Sequence, residues 1–394
     1  MAGPLEDVLV LDLTQNLPGP FCTLLLADLG ATVVKIEPPG GDPMRAFPPQ
    51  VGGASAGHAT VNRNKLSVVL DLKLAAGAAA LRRMAAAADV MVEGFRPGTL
   101  ERLGLDPAEL TAANPRLVVC RITGYGQDGP YATRAGHDLN YLAYAGVLGL
   151  MGRVADDRPV VPAVQIADLA AGGLMAAVGI LAGLAGRERT GRGTVVDASM
   201  TDGAASLLGI HLAAALAECR QERGRGPLSG GAAWYDVYRC ADGRFVALGA
   251  VEPKFFARTC ELLGAPDLAD RQFDPAAQDD LRERLAARFA TRTRDEWAAV
   301  LSAEETCVAP VLTPEEAAAD PQLAHRGVII DVPLPGGGVA RVPGTPLRLA
   351  GYDRPPPAAP PEMGADADAA LPRFGFTPAE IADLRDSGAI GATE

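Results

Sequence analysis

The chain opens with apolar runs of strand length, separated by stretches of helical pattern. Val8-Leu9-Val10-Leu11-Asp12-Leu13 is apolar at nearly every position, as a strand covered on both faces should be. Leu17-Pro18-Gly19-Pro20 turns the chain, residues 21–29 read as a helix that Gly30 ends, and Thr32-Val33-Val34-Lys35-Ile36-Glu37 is a second strand. Such a unit predicts two parallel strands joined by a right-handed crossover. Further strands are expected at 66–72, 90–93 and 117–122, with the Ala-rich stretch 75–88 as a connecting helix. Together they predict a doubly wound parallel sheet.

The pattern changes after residue 220. The Gly- and Arg-rich stretch 221–231 reads as a linker. Residues 235–240, then Ala241-Asp242-Gly243, then 245–248 predict a hairpin, because Asp-Gly suits the positive φ of a tight turn. Helices follow at 253–263, 279–292 and 294–302, so this segment is α+β. A second hairpin is expected within 328–342, broken by Pro333-Leu334-Pro335-Gly336-Gly337-Gly338; 355–361 is an extended proline stretch and 378–387 a terminal helix. The division expected is a large α/β domain from 1–200 and 326–394, a linker at 201–232, and a small α+β domain at 233–325.

Composition narrows the function classes. A chain of 394 residues has room for two or three domains with sizeable cores. Its net charge of −12, without a Lys/Arg-rich stripe, argues against a nucleic-acid partner, so any bound anion must meet a local basic site. Glu6 and Asp7 stand where a signal peptide carries bases. The longest run of small apolar residues, 172–186, falls short of the ~20 that a membrane helix needs. The 6 cysteines lie far apart with no C-x-x-C, which points to neither a zinc site nor a disulfide frame. A soluble, reduced, cytoplasmic protein with no membrane partner is expected.

Three motif matches mislead. Gly124-Tyr125-Gly126-Gln127-Asp128-Gly129 fits G-x-G-x-x-G, but Pro130 and a polar stretch follow where a dinucleotide site needs a helix. Gly53-Ala54-Ser55-Ala56-Gly57, with His58 beside it, fits a nucleophile elbow, but the prolines and glycines before it read as a flexible surface loop. Cys22 begins a helix, where a dipole could stabilise a thiolate, yet its apolar neighbours suggest a small core residue.

Three residues are candidates for chemistry. His137, in Ala135-Gly136-His137-Asp138-Leu139-Asn140-Tyr141, follows a glycine-rich loop just after a strand, where open α/β sheets bind ligands; His211, in an apolar helical run, reads as a buried, satisfied histidine. Asp168 opens a helix expected at 169–186. It is either an N-cap or a carboxyl at a helix N-terminus, where small residues admit a ligand and free N–H groups stabilise an oxyanion. Glu252 sits at a strand-to-helix junction and is either a cap or a functional acid.

These segments resemble the family III CoA transferases and, within them, the α-methylacyl-CoA racemases, from about residue 3 to about 349. The likeness includes Val33-Val34-Lys35-Ile36-Glu37, Leu70-Asp71-Leu72-Lys73, Glu93-Gly94-Phe95-Arg96-Pro97-Gly98 and Thr123-Gly124-Tyr125-Gly126-Gln127. Its specific part is Gly136-His137-Asp138-Leu139-Asn140-Tyr141 together with Asp168 and Gly249-Ala250-Val251-Glu252-Pro253-Lys254-Phe255. Cys307-Val308-Ala309-Pro310-Val311-Leu312 is also similar to the racemase pattern. Pro38, where racemases often have a basic residue, Leu169 after the Asp, and the glycine-rich stretch 219–233 depart from it.

The resemblance implies a Rossmann-like domain with a smaller α+β domain, in an interlaced homodimer. It implies racemisation of 2-methylacyl-CoA thioesters in fatty acid metabolism, with no cofactor beyond the CoA of the substrate. His137 would exchange a proton on one face of the α-carbon and Asp168 on the other, with Glu252 of the partner subunit holding Asp168. The CoA contacts implied are Arg63, Lys65, Leu70, Asp71, Leu72, Lys73, Arg96, Arg102, Gly136, Asp138, Leu139, Asn140 and Tyr141. The alternative is a CoA transferase, in which Asp168 would be the nucleophile.

Overall fold

The computed structural model describes residues 3–153, 158–217, 219 and 222–391. Residues 218, 220 and 221 of the expected linker, like 1–2 and 392–394 of the expected large domain, lie outside the described residues. The described parts of 1–145, 163–207 and 321–394 form one compact unit, and those of 146–162 and 208–320 form a second.

In the first unit, β1 (Leu9–Asp12), β2 (Thr32–Glu37), β3 (Leu66–Val69), β4 (Val90–Glu93), β5 (Val118–Thr123) and β6 (Val195–Ser199) make one sheet. All pairs are parallel, in the order β3-β2-β1-β4-β5-β6. The two-residue period of a strand assigns each apolar run to both faces. Val10, Val33, Val90, Val92 and Val118 pack against Cys22, Leu25 and Leu26 of α1 (Pro18–Asp28). Leu11, Val34, Met91 and Val119 point the other way, onto Leu81 and Met84 of α2 (Ala75–Ala87) and the C-terminal Leu371, Phe374 and Ile381. The sheet is therefore doubly wound, as its sequence pattern predicts.

Two elements differ from expectation. The strand β6 carries Asp197 and Ser199 and is half exposed at the sheet edge, so its pattern is not that of a buried strand. It is a strand because β5 offers it an unpaired edge. The helix expected at 169–186 instead spans Ala167–Thr190: a π-helical segment, Ala167–Leu174, runs into the α-helix Met175–Thr190. At 24 residues it is long and apolar enough to cross a membrane. Here Ala176, Ala177, Ile180 and Leu184 pack onto the sheet instead.

Within the second unit, β7 (Tyr235–Arg239), β8 (Phe245–Gly249) and β9 (Val308–Pro310) form an antiparallel sheet in the order β9-β8-β7. Gly243, at φ 80°, closes the β7–β8 turn, as the Asp-Gly pair predicts. Tyr238 stacks on Phe289 at 5.1 Å in its core. The helix Met200–Leu216 runs through the first half of the stretch read as a linker.

Candidate active site

In a parallel sheet of this order the chain leaves β1 and β4 in opposite directions, which opens a crevice beyond their carboxyl ends. A cavity of about 530 Å³ lies there. Thr14, Gln15 and Asn16 line it after β1, Phe95 and Arg96 after β4, and Thr123 and Gly124 at the end of β5. The segment holding Arg134, Gly136, His137, Asn140 and Tyr141 closes it, together with Asp168.

A buried ionic network holds the floor of the crevice. Asp12 accepts hydrogen bonds from Thr14 Oγ1 at 2.5 Å, Thr23 Oγ1 at 2.6 Å and Lys65 Nζ at 3.0 Å. Lys35 Nζ donates to the Thr14 carbonyl at 2.8 Å and pairs with Asp42 at 2.8 Å. The Lys65 and Lys35 charges hold the Asp12 carboxyl far below the usual range, although burial opposes them. Burial in turn lowers Lys65 to about 8.

This overturns two of the expected phosphate contacts. Lys65 is 4% exposed and spends its three donors on Asp12, the Pro20 carbonyl and Asn62. Arg63, 1% exposed, pairs with Asp28 at 2.6 Å. Desolvating a charge is affordable only beside an opposite one, so both cations serve the fold and neither reaches a ligand in the crevice. Leu70 is also buried, bridged to Ile390. Lys73 and Arg102 are exposed, Asp71 and Leu72 half-buried, and none of the four lines the crevice. Among the expected cations only Arg96 lines it; Arg134 is a second that the sequence reading missed.

His137 and Asp168 do come together at the crevice. His137 occupies the N-cap of α3 (Asp138–Tyr144), where its backbone N–H donates to Asn140 Oδ1 at 3.0 Å. The next residue, Asp138, accepts the Asp168 N–H on Oδ1 at 3.0 Å. Burial, then the Asp138 charge, push the Asp168 carboxyl up to about 6, against the pull of His137.

The helix-terminus reading of Asp168 needs correcting. Asp168 is the second residue of its helix rather than the N-cap. Its N–H is taken by Asp138, and the Leu169 N–H donates to the Gln165 carbonyl at 2.9 Å, so neither amide is free for an oxyanion. The small residues that follow serve helix packing. A Cβ on Gly173 would lie 2.8 Å from Phe21 Cδ1 and 2.9 Å from the Pro18 carbonyl, and one on Gly172 would lie 2.8 Å from Met200 Cγ.

Tyr141 explains Gly124 and Gly136 at the crevice. Its hydroxyl donates to the Gly136 carbonyl at 2.5 Å, and burial raises its pKa to about 12. A Cβ on Gly124 would sit 2.3 Å from the Tyr141 ring, and one on Gly136 2.7 Å from it. The first glycine of the G-x-G-x-x-G match therefore makes room for a tyrosine. Leu139 is 40% exposed and does not line the crevice.

The remaining motif residues have structural places. Ser55 caps the helix Ala56–Asn62, accepting the His58 N–H at 3.1 Å; it is buried after a short hairpin, not on a flexible surface loop. Cys22 is fully buried, which drives its thiol pKa well up. His211 is half-buried rather than buried. Glu252, in the second unit, is exposed at the N-cap of the helix Pro253–Leu262, and its side chain makes no cap hydrogen bond.

Residues 5–367 match the CoA-transferase family III. Human α-methylacyl-CoA racemase is 37% identical, over 98% of this chain and 97% of its own length. The acetyl-CoA:oxalate CoA-transferase of Acetobacter aceti is 38% identical over 90% of this chain and 91% of its own. A solved CAIB/BAIF family protein from Brucella suis superposes with a TM-score of 0.82 at 31% identity, covering 95% of this chain and all of that one.

Proposed function

Because the chain belongs to the CoA-transferase family III, we propose that it inverts the α-carbon of 2-methylacyl-CoA thioesters, with His137 and Asp168 as the acid/base pair. The observation that carries this reading is that both groups line one crevice while the Asp168 carboxyl is raised to about 6. A carboxyl raised to that value can both take and give a proton near neutral pH, as racemisation requires.

One group takes the α-proton, and the electron pair left on carbon delocalises into the thioester carbonyl as an enolate. The other group then returns a proton to the opposite face. Donors other than the Asp168 and Leu169 amides must meet the enolate oxygen, since both are already engaged. Arg96, at the crevice, and the exposed Lys73 and Arg102 remain for the CoA phosphates.

The active form is an interlaced homodimer, with Glu252 of the partner subunit beside Asp168. Two features support this. The Glu252 carboxylate is not used as a cap. Leu174, Met175, Val178 and Leu181 present an uncovered apolar stripe, with Val178 62% exposed. The reaction belongs to fatty acid metabolism in the cytoplasm.

A CoA-transferase reading is favoured by one observation, the 38% identity to a transferase. Asp168 would then attack the thioester, expel CoA thiolate and carry the acyl group as an anhydride. Incubation with a chiral 2-methylacyl-CoA in D₂O tests the proposal. Deuterium at the α-carbon with loss of optical purity supports the racemase. Hydroxylamine capture of an acyl group on Asp168, without α-exchange, would replace it with the transferase.

A further inference from the structure

A second cavity, of about 440 Å³, is lined by Arg63, Arg348 and Arg354 with Asp28, Tyr352 and Asp353. Asp28 ends α1, an 11-residue helix that starts at the crevice and runs antiparallel to the strands. At 1.5 Å per residue, about 16 Å separates its two ends. This cavity therefore lies at the amino-terminal edge of the sheet, away from His137 and Asp168.

Its charges are unbalanced. The Asp28 carboxylate is saturated by Arg63 Nη2 at 2.6 Å, Asn64 Nδ2 at 2.7 Å and the Thr345 hydroxyl. Arg354 donates to the Thr345 and Leu347 carbonyls at 3.1 and 2.9 Å, and Arg348 to the Arg326 carbonyl. Among the described residues neither pairs with a carboxylate, which leaves Asp353 as the only other acid on the cavity wall. Arg63 is 1% exposed, its Nη1 donates to the Thr60 carbonyl at 2.8 Å, and its buried Nε–H stays inside the wall, so its charge is spent on Asp28. Arg348 and Arg354, held only by neutral carbonyls beside an Arg63–Asp28 pair that already neutralises itself, are a donor set that lacks its acceptor.

We propose that this cavity binds a small oxyanion of the phosphate class. Guanidinium forks match tetrahedral phosphate oxygens, and the volume admits a diphosphate. Two sources share that chemistry, a bare anion and the diphosphate of a nucleotide. Calorimetric titration of the full-length protein with pyrophosphate, and separately with ADP, distinguishes them. Pyrophosphate should bind in the low millimolar range or tighter, and tighter binding of ADP assigns the nucleotide. Arg348→Ala with Arg354→Ala should weaken binding by about tenfold or more. Both arginines lie outside the core, and circular dichroism checks that the double variant folds. Absence of binding to the wild type, or equal binding to the double variant, would overturn the proposal.

Discussion

Asp138 Oδ1 accepts the backbone N–H of Asp168 at 3.0 Å. This one bond ties the start of α3, which carries His137, to the start of the long helix, which carries Asp168. The same carboxylate also lifts the Asp168 pKa, after burial itself. The placing of both groups and the protonation of Asp168 thus depend on one neighbour.

Asp138→Asn separates the two effects. The amide oxygen can still accept the Asp168 N–H, but the charge is gone, so the Asp168 carboxyl should fall from about 6 toward its ordinary range. The acidic limb of the kcat profile should move to lower pH with little change in Tm. Asp138→Ala, which also removes the acceptor, should lower kcat at every pH. A pH–rate series on both variants reads the difference.

Asp168 also makes stability depend on pH. Its pKa is higher in the folded chain than in the unfolded one, so the folded state holds the extra proton between about pH 4 and 6. This residue's contribution to stability is therefore lost as pH rises through that window. Asp168→Asn should raise the Tm at pH 7.5 and leave it nearly unchanged at pH 4. Exchange activity should meanwhile fall by about 10²–10⁴-fold. An unchanged rate would remove Asp168 from the chemistry.

Gly124→Ala should destabilise the protein by about 1–3 kcal/mol, because its Cβ would overlap the Tyr141 ring. Tyr141→Phe keeps the ring and loses only a hydrogen bond to a carbonyl, costing about 1 kcal/mol. Combining Gly124→Ala with Tyr141→Ala should cost less than the sum of the two single changes. Urea unfolding of the four proteins tests that non-additivity.

Lys65 and Arg96 should respond in opposite ways. Lys65→Met removes the ion-pair partner of the buried Asp12, a loss of about 3–5 kcal/mol that shows as a lowered Tm. Arg96→Ala removes an exposed side chain at the crevice, so Tm should hold while KM for the acyl-CoA rises. A rise in KM for Lys65→Met at unchanged Tm would contradict the structural role given to that lysine.

The sequence by itself determined the strands β1 to β5 and the small-domain hairpin, and it offered His137 as a candidate. Each rests on local information. An apolar run of four to six residues is buried wherever it falls, Asp-Gly turns wherever strands flank it, and the motif around His137 is contiguous. The tertiary structure decided what depends on a distant partner. The family resemblance offered Lys65 as a phosphate contact by motif position, because a motif shows the lysine and not its counter-ion. Asp12 lies 53 positions away in the chain and meets Lys65 only when β1 and β3 share a sheet. Gly172 and Gly173 looked like room for a ligand, but the space a glycine leaves belongs to whatever packs there, here Met200 and Phe21. Strand β6 had too weak a pattern to read, since an edge strand needs only one neighbour and one apolar face. Charge, vacancy and edge pairing are relations between segments, and folding is what creates those relations.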